Sequence, residues 1–278
     1  MTEALVLGGG GIAGIAWTTG LLTGLAEAGG DVSKAGTVIG TSAGATVAAQ
    51  LGGGLGLPEL YARQTDPRMQ AAEIMGDVDL ETFGRNLEAA LEGADSFPEV
   101  RRALGRFALA ADTVPEAARR AVIASRLPVH DWPTDMTLKL VAVDTGSGAT
   151  RVFDNASGVS LVVAVHASCA VPGLWPPVTI GGHRYVDGAV RSNTSADLAA
   201  GASRVLVVAP LGQRELFPCE KPLRAAVDEL RAGGSEVTVI EPDDASRAAI
   251  GRNPADPSTR VPAAEAGRAQ GRRGGTPS

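Results

Sequence analysis

Gly40-Thr41-Ser42-Ala43-Gly44 is a GxSxG pentapeptide, the spacing that sets a nucleophilic serine on a sharp turn between a strand and a helix. Gly40 and Gly44 suit that turn because larger side chains would collide there, and the Ala43 amide then points to where an oxyanion would form. A serine hydroxyl needs a base to attack. The chain holds three histidines, His130, His166 and His183, and none lies where a late-strand histidine of an α/β-hydrolase triad belongs. Each fits a surface or packing role better. The remaining candidate is Asp187, in Val186-Asp187-Gly188-Ala189. Asp-Gly is also a common turn pair. A carboxylate with an ordinary pKa of about 3.9 is a weak base. It would serve only if burial and a short hydrogen bond to Ser42 raised its basicity.

A third candidate is Gly8-Gly9-Gly10-Gly11-Ile12-Ala13-Gly14, which satisfies GxGxxG from Gly9 to Gly14. Glycines there let the backbone approach a ligand, and free amides at a helix N-terminus favour negative charge. A dinucleotide cradle, an oxyanion hole and a plain tight turn all fit. The dinucleotide reading asks for an acidic residue closing the second strand. That strand runs into Gly40-Thr41-Ser42, and Asp31 precedes it, which weakens the nucleotide option.

These residues need a scaffold, and the hydrophobic pattern supplies one. Ala4–Leu7 is a continuous apolar run that reads as a buried strand. Ile12, Ile15, Ala16, Leu21, Leu22 and Leu25 recur at helical spacing until Gly29-Gly30. A second strand is expected at 37–39 and a small-residue helix at 43–51. Residues of about 57–135 are richer in charge and proline and read as a helical insertion or lid, without a chemical motif. Strands return at 137–143 and 150–153, with a helix over about 159–166. Gly181-Gly182 suggests a hairpin over 178–185. Helices near 195–200 and 223–231 alternate with strands at 205–209 and 237–240, and a last helix is expected near 263–269. Alternation of this kind implies a mainly parallel sheet covered by helices on both faces. The expected division is a single catalytic domain over 1–250, then a helix and flexible tail over 251–278.

Hydrophobic residues at 44 % and charged residues at 20 % suit a globular chain, and 278 residues can bury a large core. The net charge of −6 argues against a nucleic-acid partner. Cys169 and Cys219 form no CxxC pair, and no cluster has metal-ligand spacing, so neither metal nor cofactor is expected. The N-terminus shows no basic segment followed by a long apolar run, and a cytoplasmic setting is expected. Peripheral membrane contact through Leu55–Leu60 or Phe83 is conceivable, although no basic amphipathic helix supports it.

The three motifs, in this order, resemble the patatin-like phospholipase family. The resemblance extends to Ala167-Ser168-Cys169-Ala170-Val171-Pro172-Gly173-Leu174-Trp175-Pro176-Pro177 and to Tyr185–Asn193. It covers about residues 4–55 and 137–210. It implies a three-layer α/β/α sandwich and a Ser-Asp dyad without histidine, with Ser42 as nucleophile and Asp187 as base. The amides of Gly9, Gly10, Gly11 and Ala43 would then hold the oxyanion, with Gly14, Gly40, Gly44 and Gly188 as motif glycines. The implied substrates are acyl esters of lipids. One position departs from the family: Ala13 stands where an Arg or Lys is common, which bears on phospholipid preference more than on hydrolysis. Two rivals stand beside this reading. One is a nucleotide- or acyl-CoA-binding protein that uses the glycine loop as an anion cradle; the other is a catalytically silent relative that binds lipid or a partner.

Overall fold

The computed structural model describes residues 3–30, 35–74 and 80–274. The first apolar run forms β1 (Glu3–Leu7), whose residues 4–7 are all buried, as a strand covered on both faces requires. The glycine loop leads into α1 (Gly11–Glu27), then β2 (Thr37–Gly40) and α2 (Ala43–Gly52). Asp31 lies outside the described residues.

Four helices stand between α2 and the next strand among the described residues. They are α3 (Leu57–Thr65), α4 (Leu80–Leu91), α5 (Phe97–Ala110) and α6 (Glu116–Arg126). The chain re-enters the sheet through β3 (Thr137–Asp144) and β4 (Thr150–Phe153), followed by α7 (Leu161–Ser168). The hairpin β5 (Val178–Ile180) and β6 (His183–Asp187) turns on Gly181 and Gly182, both at positive φ, as a two-residue turn of this kind demands. The helix expected near 195–200 is a short 3₁₀ turn, Ala196–Ala199. Then come β7 (Arg204–Val208), α8 (Leu223–Ala232), β8 (Glu236–Ile240), α9 (Asp244–Ile250) and α10 (Arg260–Arg272). No hydrophobic pattern announces α9, which Asp243 caps by accepting the Ser246 N–H.

The sheet runs β5-β6-β3-β2-β1-β7-β8, with β4 paired to β3. The β3-β2-β1-β7-β8 portion is parallel, and β4, β5 and β6 join antiparallel. One detail of register matters for the chemistry. Leu140 of β3 pairs with both Gly40 of β2 and Phe153 of β4, while Ala142 pairs with both Arg151 of β4 and Asp187 of β6. A strand has two edges, so β4 takes one and β2 and β6 lie end to end along the other. The last residue of β6 therefore meets the chain just beyond the last residue of β2.

Side-chain alternation sorts the core into two layers. Leu5, Leu7, Val38 and Leu140 pack with α1, α2 and α7, while Ala4, Val6, Ile39 and Val141 pack with Leu223, Ala226, Val227 and Leu230 of α8. The result is a mixed, mainly parallel sheet between helical layers, the expected α/β/α class. On the first layer α10 lies against α1 with backbone in near contact. A Cβ on Gly20 would stand 2.0 Å from the Ala264 carbonyl oxygen, and one on Gly267 2.3 Å from that of Trp17. Leu57 and Leu60, considered for membrane contact, are buried in this core, and Phe83 packs against the ring of Phe107. Among the described residues no helix is long and apolar enough to cross a membrane.

Candidate active site

Ser42 follows β2 by two residues and caps α2 with φ 55° and ψ −116°. That conformation is strained for a residue with a Cβ and persists only where the surroundings enforce it. The enforcement is visible. A Cβ on Gly40 would meet Ala45 Cα at 2.6 Å, and one on Gly44 would meet the Leu7 carbonyl oxygen at 1.9 Å. Only glycines let β2, α2 and β1 approach so closely. The turn is further fixed from α7: the Ser42 N–H donates to Ser168 Oγ at 3.1 Å, and the Cys169 thiol donates to the Ser42 carbonyl at 3.1 Å. Ser168 and Cys169 lie in the block that resembles the family, yet the sequence assigned them no role.

Asp187 ends β6, as the register dictates, and is fully buried. Its backbone N–H donates to the Ala170 carbonyl at 2.9 Å, and its Oδ1 accepts the Ala189 N–H at 2.8 Å. Gly188 packs under it, where a Cβ would lie 2.5 Å from the Val141 carbonyl oxygen and 3.0 Å from the Thr41 methyl. Burial pushes the Asp187 carboxyl up to about 7, against the opposing pull of the Ala189 amide and the Ser42 hydroxyl. The hydroxyl is thus close enough to favour the charged carboxylate. The contact is not a completed hydrogen bond, because Oδ2 is buried with no partner of proper geometry. Such catalytic contacts are often long in a free enzyme and tighten around substrate.

No histidine approaches this pair by hydrogen bond. His130 bonds the Ala124 carbonyl, His183 of the hairpin pairs with Asp144 of β3 at 2.9 Å, and His166 is buried with neither ring nitrogen bonded.

The glycine loop stands against the serine, and a Cβ on Gly9 would lie 3.4 Å from Ser42 Cβ. Its amides are not equivalent. Gly8 N–H donates to the Val208 carbonyl and Gly9 N–H to the Asn193 carbonyl, at 2.9 and 2.8 Å. Gly9 therefore leaves the expected set of oxyanion donors: its N–H is already donated to the carbonyl of Asn193, which the sequence did not single out for any role. Among the described residues the amides of Gly10, Gly11 and Ala43 have no protein acceptor. Further along the helix the Ala13 N–H donates to the Pro254 carbonyl at 2.9 Å, and that carbonyl would stand 2.6 Å from a Cβ on Gly11. The Pro254 carbonyl oxygen is thus set against the first turn of α1, where it would repel a pyrophosphate, so the nucleotide alternative loses ground. Among the described residues no group of acidic, histidine or cysteine side chains has the arrangement to hold a metal ion.

A family model for patatin-like phospholipases matches residues 5–200. Among solved structures, the chain is similar to VipD from Legionella pneumophila at 12 % identity and a TM-score of 0.49, covering 98 % of this chain and 66 % of that one. It is similar to the type III effector protein ExoU at 15 % identity and a TM-score of 0.42, covering 98 % of this chain and 53 % of that one. The chain thus spans less than two thirds of the length of either. No curated protein matches it. With the family model spanning both the serine turn and the aspartate segment, the chain belongs to the patatin-like phospholipase family.

Proposed function

We propose that the protein is a serine acyl hydrolase that cleaves acyl esters of lipids, with Ser42 as nucleophile and Asp187 as its base. The observation that carries this reading is the meeting of a strained serine turn and a fully buried carboxylate at the ends of β2 and β6. A base with a pKa of about 7 is matched to proton transfer near neutral pH, which an ordinary aspartate is not.

In the first step Asp187 takes the Ser42 proton while Oγ attacks the ester carbonyl carbon. The carbonyl oxygen becomes an oxyanion held by the amides of Gly10, Gly11 and Ala43. Collapse expels the alcohol, which takes the proton from Asp187, and leaves an acyl-serine. Water then attacks the acyl carbon while Asp187 again accepts the proton, and collapse releases the carboxylic acid and Ser42 Oγ, which takes that proton back from Asp187. Ser168 and Cys169 act as positioning residues through the Ser42 backbone.

The test is hydrolysis of a medium-chain p-nitrophenyl ester by the full chain. Ser42→Ala and Asp187→Asn should each lower kcat by about 10³ or more, since members of such a unit are each indispensable. Variants that keep wild-type turnover would sink the dyad. A wild type that neither turns over nor labels with a fluorophosphonate, even with lipid present, would favour a silent lipid-binding relative.

A further inference from the structure

Beside the glycine loop lies a cluster of charge that the reaction above does not use. Arg119 and Arg126 are two turns apart on one face of α6, and Arg260 opens α10. All three guanidiniums gather on one carboxylate, Glu73, in the stretch 71–74, which belongs to no helix or strand. Arg126 holds both carboxylate oxygens, Nε at 3.2 Å from Oε1 and Nη2 at 2.5 Å from Oε2. Arg260 Nη2 bonds Oε1 at 2.5 Å, and Arg119 Nη1 stands 4.0 Å from Oε2. The side chains are 4 % (Arg119), 7 % (Arg126), 8 % (Arg260) and 5 % (Glu73) exposed.

Three buried cations against one anion leave an excess of positive charge where charge is expensive to hold. The hydrogen-bonding account is also incomplete. Nε and Nη1 of Arg119 and Nε of Arg260 are buried with no hydrogen-bond partner. The guanidinium of Arg119 is fixed instead by stacking 3.6 Å over the Trp175 ring. Its positive field, with that of Arg120, adds to burial in pushing the neighbouring His166 down to about 4, so that ring is neutral and supplies no further cation. A fork of rigid donors with spare N–H groups matches a tetrahedral or planar anion with more acceptors than one carboxylate has.

The cluster adjoins the catalytic apparatus. Arg126 and Arg260 line the same cavity as Ile12 and Ile15 of α1, the former next to the oxyanion donor Gly11. From the other side, the Arg126 carbonyl accepts the amide of Gln50 on the serine-bearing α2, at 2.8 Å. That cavity has a volume of about 20 Å³, room for one water and not for a phosphate. An anion that engages all three guanidiniums must take the place that Glu73 holds.

We propose that Arg119, Arg126 and Arg260 form a binding site for a phosphate-type anion beside the oxyanion loop, and that Glu73 fills it in the free protein as a displaceable internal ligand. The link to substrate rests on the hydrolase reading; binding of the anion does not. Phosphate could arrive as the headgroup of a lipid ester or as the free ion, and the two are separable.

Thermal unfolding of the full chain is measured in inorganic phosphate against chloride at equal ionic strength. The variants are Glu73→Gln, which keeps the shape and one acceptor oxygen while removing the competing charge, and Glu73→Gln with Arg119→Met, which keeps the stem over Trp175. Phosphate should raise the Tm of Glu73→Gln by about 5 °C more than that of wild type, and the double variant should lose that increment. If Glu73→Gln also raises the ratio of phosphatidylglycerol-vesicle to p-nitrophenyl butyrate hydrolysis several-fold, the occupant is a lipid headgroup. An unchanged ratio with the phosphate response intact makes the occupant free phosphate. Equal phosphate responses in all three proteins, or none in any, overturn the site. Because the melting experiment needs no turnover, an inactive enzyme would contradict the hydrolase reading without touching this one.

Discussion

In the proposed mechanism the burial of Asp187 brings a catalytic benefit and a structural cost, and both follow from one displaced equilibrium. The carboxyl sits at about 7 in the fold and at 3.8 when exposed to water, chiefly because burial disfavours its charge. Well below pH 4 it is protonated in both states and destabilises nothing. As pH rises from about 4 to 7 the unfolded chain releases the proton while the folded chain retains it, so stability is lost across that window. Above pH 7 the loss levels off, on the order of 4 kcal/mol. Asp187→Asn removes the titration and keeps an acceptor for the Ala189 amide. Its urea midpoint should exceed that of wild type at pH 8 and converge with it toward pH 4. A wild type more stable than the variant at pH 8 would show that the carboxylate is held by compensating partners. Ser42 and Asp187 were legible in the sequence as residue types in motifs. The burial that turns an aspartate into a base was not, because it depends on β3, α7 and the Ala170 carbonyl closing around it.

At the scale of elements, local signals were legible and long-range pairing was not. Gly181-Gly182 between short apolar runs announced the β5–β6 hairpin, and Gly40 and Gly44 announced the serine turn. That β2 and β6 share an edge of β3 is a matter of register between segments far apart in the chain, on which hydrophobic pattern is silent. The same holds for Asn193, whose carbonyl takes the Gly9 amide. Helix α9 escaped notice because seven residues offer too little periodicity to read. The α1–α10 seam makes a quantitative expectation possible. Gly267→Val would drive its side chain into the Trp17 carbonyl, and should lower stability by about 1–3 kcal/mol or more. Gly84 on α4 has nothing within 4 Å of its virtual Cβ, so Gly84→Ala should stabilise by about 0.5–1 kcal/mol through helix propensity alone. Denaturant midpoints of the two variants, moving in opposite directions, check this account.

Over the whole molecule, the segment after α9 closes the structure that the N-terminal motifs open. Pro254 takes the Ala13 amide, α10 covers α1, and Arg260 reaches back to Glu73. A composition rich in Ala, Arg, Gly and Pro gave these residues the look of an appendage. Their glycines instead serve close helix packing, and residues 275–278 lie outside those described. A chain ending after Ile250 would expose the buried face of α1, including Trp17. It should unfold in urea without the cooperative transition of the full chain. The arginine cluster is another whole-molecule property. Its members come from α6, α10 and the stretch at Glu73, so a chain with a net charge of −6 still buries a local excess of positive charge.

If Asp187 activates Ser42, the rate of fluorophosphonate labelling at Ser42 must follow the ionisation of that carboxyl. The labelling rate of wild type should climb with pH through an apparent pKa of about 7 and then level, while Asp187→Asn should label far more slowly and without that step. A step that survives in Asp187→Asn, or a wild-type rate indifferent to pH between 5 and 9, would contradict the assignment and place the base elsewhere.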